Sequence, residues 1–203
     1  CMSKLKVDQI SKATGAAPAI FTLPAADGTA GQYLKTDGSG ALSWGTPPDQ
    51  KITSASSWGQ TAAQTGSKNP ITADLALRTT AGQGNLGDAM TLDTGVFTFP
   101  STGFWHVIAR FTFRRDAGDS QAGGFIKSTT NNGGAWTIVA AAYKSLDSVA
   151  IYGSTSASCI LDIEDISQNK VSFQTSHDNA GNSTTGNANG SQTSFTFIRL
   201  ADI

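Results

Sequence analysis

Few residues in this chain could do covalent chemistry. It has two histidines, His106 and His177. A nucleophilic triad needs such a base, oriented by an acid, converging on one hydroxyl. His106 lies inside the apolar run FWHVIARFTF, and His177 opens the polar stretch HDNAGNSTTGNANGSQ. Neither setting suggests a hydrolase. There is no CxxC pair, no HExxH and no P-loop. GQGNLG, Gly82 to Gly87, does match G-x-G-x-x-G, but TTA precedes it and DAMTL follows. A dinucleotide site needs that pattern between a buried strand and a helix N-terminus, so the match is read as accidental. A polysaccharide-cleaving enzyme would want an acidic pair in a groove, and none is evident. No enzymatic activity is expected.

Oxygen ligands are the other candidate chemistry. Asp116 and Asp119 lie in RRDAGDSQAGG, and Asp162, Glu164 and Asp165 in LDIEDI. Such spacings can hold calcium in a loop. No EF-hand glycine pattern accompanies them, so they read as solvated carboxylates, and no cofactor is expected. Cys159, in CILDI, reads as a small buried hydrophobe. Cys1 stands ahead of Met2 and reads as an addition to the natural start, which leaves Cys159 without a disulfide partner. Asn182-Ser183-Thr184 and Asn189-Gly190-Ser191 match the N-glycosylation pattern. No charged segment followed by an apolar one opens the chain, so a secretory leader is not expected and both matches are read as accidental.

The elements that must position these residues are short strands. The chain has 203 residues, of which 22 are glycine, and only 14% are charged. That turn chemistry suits many strands and no long helix. Its net charge of −1 gives no electrostatic reason for a nucleic-acid partner. No apolar run reaches the length of a membrane span, so membrane insertion is not expected.

Two segments differ in composition. Residues 2–48 are rich in glycine and proline, with Ile20, Phe21, Leu23, Tyr33, Leu34, Leu42 and Trp44 as isolated apolar residues. They read as a short stalk that orders when several copies pack together. KTDGSGAL reads as a hairpin turn, with Asp37 and Gly38 at positions tolerating positive φ. Residues 49–203 read as an all-β head. Strands are predicted over 95–99, 104–113, 124–130, 136–143, 149–163, 169–176 and 193–201, with two or three weaker ones in 50–94. Such a count suggests a jelly-roll β-sandwich.

Strand faces identify an interface. In 169–176, Val171, Phe173 and Thr175 share one side, and Ser172, Gln174 and Ser176 the other. In 104–113, Trp105, Val107, Ala109, Phe111 and Phe113 share one face, but Phe104, His106 and Ile108 occupy the opposite one. In 193–201, Phe195 and Phe197 oppose Ile198 and Leu200. A two-layer sandwich has one inner face per sheet, so Phe104, His106, Ile108, Ile198 and Leu200 need a second partner. Another copy of the chain is the simplest one.

Two resemblances extend this reading. DGTAGQYLKTDGSGALSW, residues 27–44, and MSKLKVDQI, residues 2–10, are similar to segments of bacteriophage fibre and virion proteins. GVFTFPSTGFWHVIARFTF and the terminal SFTFIRL resemble strands of the complement globular-head and tumour-necrosis-factor superfamily, at pattern level over residues 90–203. The second resemblance implies a homotrimeric jelly roll whose strands 104–113 and 193–201 face the three-fold axis. It also keeps calcium near the apex open, at Asp116 and Asp119. The first implies a virion-surface location on tail or head, with the N-terminal segment bound to another virion protein.

In a jelly roll, the loops 114–123, 144–148 and 177–192 should share the tip. They carry Arg114, Arg115, Asp116, Asp119, Lys144, His177, Asp178, Asn179, Asn182, Asn187 and Asn189. Their donors and acceptors suit sugar hydroxyls, so a host-surface glycan or protein is the expected partner. Two alternatives stay open: a capsid or tail decoration fibre with a structural role, and a cellular lectin-like adhesion domain.

Overall fold

The structure, a computed structural model, describes residues 9–11, 20–47, 52–80, 82–118, 121–147 and 151–202. The chain forms two compact units, Cys1–Gln50 and Lys51–Ile203. The described residues form strands and turns, without a helix.

The first unit contains two antiparallel pairs. Strand β1 (Gln9–Ser11) pairs with β2 (Ile20–Thr22), and β3 (Tyr33–Thr36) with β4 (Leu42–Gly45). The β3–β4 turn is built on Asp37. Its carboxylate accepts from the Ser39 amide at 2.8 Å, the Ser39 hydroxyl at 2.6 Å and the Ala41 amide at 3.1 Å. The left-handed residues are Gly38 (φ 86°) and Gly40 (φ 100°). Sequence placed Asp37 with Gly38 at positions tolerating positive φ; Gly40 is left-handed, and Asp37 is not. It is the acceptor that organises the turn, a role aspartate takes because its short carboxylate reaches amides two residues on.

The Ser39 hydroxyl and amide hold the exposed Asp37 carboxyl below its ordinary value. A depressed folded-state pKa contributes stability above the unfolded value, and that stability is lost as pH falls through the folded one. The turn therefore loosens only in acid below the usual carboxylate range. The Gly38 and Ser39 amide resonances, followed by NMR during acidification, should report it. Movement centred above the normal aspartate range would contradict this.

The described part of this unit buries almost nothing. Ile10, Ile20, Phe21, Tyr33 and Leu34 are all exposed. Local turn chemistry sets its hairpins, not a core.

The second unit is a sandwich. Its strands are β5 (Ala55–Gln60), β6 (Gln64–Thr65), β7 (Leu75–Leu77), β8 (Thr91–Asp93), β9 (Val96–Thr98), β10 (Gly103–Arg115), β11 (Gln121–Thr129), β12 (Thr137–Ser145), β13 (Ile151–Ile163), β14 (Lys170–His177), β15 (Ser183–Thr184) and β16 (Ser194–Ala201). In the first sheet, β10 is flanked by β13 on one side and by β16 and β15 on the other; β5 and β7 continue beyond β16, and β6 beyond β15. The second sheet runs β12-β11-β14-β9-β8. Every strand predicted from 95 onward is present. The segment 50–94 holds β5 to β8, more than the two or three expected.

Trp105, Val107, Ala109, Phe111 and Phe113 alternate inward from β10 and are fully buried, as are Phe195 and Phe197 of β16. They meet Phe97, Ile126, Val171 and Phe173 of the other sheet. Phe173 and Phe195 stack with centroids 3.7 Å apart. Burying one such side chain stabilises the fold by about 1.5–3 kcal/mol. On β14, Val171, Phe173 and Thr175 face inward as expected. Ser172, expected outside, faces outward but is only 3% exposed.

Candidate functional site

Two regions gather the residues singled out from sequence. The first is the outward face of β10 and its neighbours. Register places His106 beside Ile160 of β13 on one side and Ile198 of β16 on the other. The next row is Ser158, Ile108, Thr196 and Ser57. The row after that is polar: Ser156, Arg110 and Ser194. Phe104 lies at the apolar end of the face and is 37% exposed; Leu200, near it, is 44% exposed. The five candidates Phe104, His106, Ile108, Ile198 and Leu200 therefore share one surface. Sequence reading missed its most exposed member, Ile160, at 62%. Its signal was present, since β13 alternates and Ile160 opposes the buried Cys159 side. Cys159 itself is half-buried, and burial raises its thiol pKa.

The second region is the loop end. The first strand of the unit, β5, begins beside Ile198, so these loops lie at the opposite end of the sheet from that entry. Side chains tie them together. Asn182 Oδ1 accepts from the Asp116 amide at 2.7 Å and the Ala117 amide at 2.8 Å. The Ser183 hydroxyl donates to Asp116 at 3.3 Å. Arg115 donates to the Leu146 carbonyl at 2.8 Å and the Ala117 carbonyl at 3.2 Å. The three loops are thus neighbours, and several candidate contacts prove to be fasteners.

Asn182 is fully buried, so its side chain is turned into the loop cluster and not outward. Arg115 is committed to carbonyls. His177 packs edge-on against Phe113, centroids 5.3 Å apart, with Nε2 3.1 Å from the Thr184 hydroxyl. Asp116 pairs with Arg114 at 3.0 Å, and Arg114 sits 5.7 Å from the centre of the Tyr152 ring. Among the described residues no three metal-ligating side chains converge. Asp119 lies outside the described residues. Asp178 is exposed, while Asn179 and Lys144 are half-buried. Tyr152, 58% exposed, belongs with them but was not singled out from sequence.

Asn187 and Asn189 are exposed, on a loop shaped by a residue that sequence reading overlooked. Arg78, only 4% exposed, donates to the carbonyls of Ala188 (2.7 Å), Asn187 (2.7 Å), Gln60 (2.9 Å) and Gly190 (3.2 Å). Five fixed N–H donors make arginine the side chain able to gather so many acceptors. Gly59 makes room for it, since a Cβ there would lie 2.0 Å from Arg78 Nε. The polar loop is therefore a clamped structure, not a free connection.

No protein-family model and no curated protein sequence matches the chain. Solved structures do. Eiger TNF from S. frugiperda is 13% identical, with a TM-score of 0.55 over 75% of this chain and 96% of that one. Murine APRIL in its pH 5.0 crystal structure is 12% identical, with a TM-score of 0.54 over 72% of this chain and 98% of that one. Its pH 8.5 crystal structure gives 10% identity and a TM-score of 0.52 over the same shares. At these identities the likeness is one of fold, and the fold of the sandwich unit is a tumour-necrosis-factor-like jelly roll.

Proposed function

We propose that the chain is a homotrimeric attachment protein of a bacteriophage virion, whose jelly-roll head binds a host-surface receptor without covalent chemistry. One observation carries the assembly. The sandwich core is complete within one chain, yet Phe104, Ile108, Ile160, Ile198 and Leu200 surround His106 on the opposite face. A contiguous apolar patch of this kind marks an interaction surface, and closed symmetry covers it without leaving an open edge.

The virion location rests on the resemblance of residues 2–10 and 27–44 to fibre proteins, with the N-terminal segment bound to another virion protein. The receptor contact is placed at the loop end, on Arg114, Lys144, Tyr152, Asp178 and Asn179. Three identical weak sites on one rigid head reinforce each other. No metal is assigned to this mechanism.

Light scattering on the intact chain should give about 63 kDa, three times 21.0 kDa. Added protein should then compete with phage for adsorption to host cells. A mass of one chain would remove the trimer, and with it the multivalent mechanism.

A further inference from the structure

The second sheet carries a groove that neither the core nor the loop end explains. Its floor is one row across three strands: Lys127 of β11 pairs with Ser172 of β14, which pairs with Val96 of β9. All three point away from the core. The walls come from elsewhere in sequence: Asn69 and Pro70 before β7, Thr94 in the β8–β9 turn, and Trp136 ahead of β12. The groove is open on one side, with a volume of about 470 Å³. That falls within the range of small-ligand sites, roughly 300–1,000 Å³.

The lining is specific in kind. Trp136 is half-buried, and its indole N–H makes no hydrogen bond within the chain among the described residues. An indole presents a flat apolar face beside a polar N–H, as a ring with both C–H and O–H edges requires. Thr94, Ser172 and Asn69 add hydroxyl and amide groups that can both give and accept. Among the described residues, Lys127 supplies the only charge in the lining. Its ammonium donates to Asn69 Oδ1 at 2.9 Å, a neutral partner, and makes no ion pair among the described residues. Asp93, next to Thr94, accepts from the Thr94 hydroxyl at 2.9 Å and does not line the groove.

We infer that this groove binds an acidic sugar residue. The sugar's ring face lies on Trp136, its carboxylate meets Lys127, and its hydroxyls meet Asn69, Thr94 and Ser172. A neutral sugar would leave the lysine without a counter-charge; a phosphate-rich ligand would call for more than one cation. The groove is a second site, apart from the loop end where the receptor contact is proposed, and the inference takes its biological sense from the attachment reading. The groove itself can be tested without cells.

The intact chain should be titrated with glucuronate and N-acetylneuraminate, against glucose at matched ionic strength. The Trp136 indole N–H signal should be followed by NMR, assigned with Trp136→Phe. Both acids should shift it, with glucose much weaker. Lys127→Gln should weaken acid binding about tenfold, the loss of one charge-assisted contact. Trp136→Ala should abolish it. Lys127 is on the surface, so Lys127→Gln leaves the unfolding transition in place and keeps the test valid even if Trp136→Ala perturbs the fold. No shift at tens of millimolar, glucose binding as tightly as glucuronate, or an unchanged affinity in Lys127→Gln would each overturn the inference. Groove binding without adsorption to cells would uphold it and sink the attachment reading. Adsorption with no signal at the groove would do the reverse.

Discussion

Arg78→Ala should lower the unfolding free energy by about 3–5 kcal/mol, the largest loss from any single polar substitution in the head. The Asn187, Ala188 and Gly190 carbonyls lose the guanidinium at once, and the Gln60 carbonyl keeps only the Asn187 amide at 2.9 Å. Each buried acceptor left unmade costs about 1–3 kcal/mol, and water entering from the exposed Asn187 side recovers part of that sum. Arg78→Lys should recover less than half, because an ammonium has three donors on one atom and cannot span four oxygens. Gly59→Ala should reproduce the defect without touching the arginine, since the added methyl occupies the guanidinium site. Urea unfolding measures the free energy. Hydrogen exchange at the 187–190 amides separates local loosening from global loss. Arg78→Ala within 1 kcal/mol of the parent would show that the clamp is dispensable.

The second large effect concerns assembly. Ile160→Glu should convert a trimer of about 63 kDa (three times 21.0 kDa) to a single chain. Ile160 is 62% exposed in the chain, so the glutamate leaves the fold of one subunit unstrained. In the trimer each copy would bring a carboxylate into an apolar contact beside His106 and Ile198. Burying an unpaired charge costs several kcal/mol, repeated at three symmetric sites. Thr98→Glu, on the outward face of the other sheet, is the matched control and should stay trimeric. If Ile160→Glu kept the parental mass, the patch would need another occupant.

Alternation made most of the sandwich legible. Strands β9, β10, β14 and β16 could be read because large apolar side chains recur at every second position on the face that is buried; β12 and β13 were found from apolar runs although Ile138, Tyr143, Tyr152 and Ile160 are exposed. Strand β5 could not. Its buried residues are Ser56, Gly59 and Gln60, and it is positioned by pairing with β16 and by the Gln60 amide on the Ala62 and Thr184 carbonyls. Hydropathy carries no trace of such a strand. The loop end was legible as a place but not in its parts. Asn182 and Asp178 look alike in a polar run, yet one is fully buried and the other exposed. Only the position of the Asp116 and Ala117 amides distinguishes them. Arg78, in LALRTT, reads as an ordinary charged strand end. The groove is less visible still, since Asn69, Thr94, Lys127, Trp136 and Ser172 each sit in unremarkable surroundings and meet only through the sheet register.

Arg78 grips nothing but main-chain oxygen. Every residue type presents the same carbonyl, so the guanidinium holds the contour of 187–190 whatever side chains positions 188 and 189 display. Ala188 and Asn189 could be exchanged for other polar or aromatic residues while the guanidinium kept its four acceptors; Asn187 is different, because its Oδ1 accepts from the Asn189 amide at 2.8 Å. Shape and chemical lettering are separated at this point of the head, as type is separate from the frame that holds it. A library randomised at positions 188 and 189 should therefore yield mostly folded heads, each presenting a different surface from an unchanged mount.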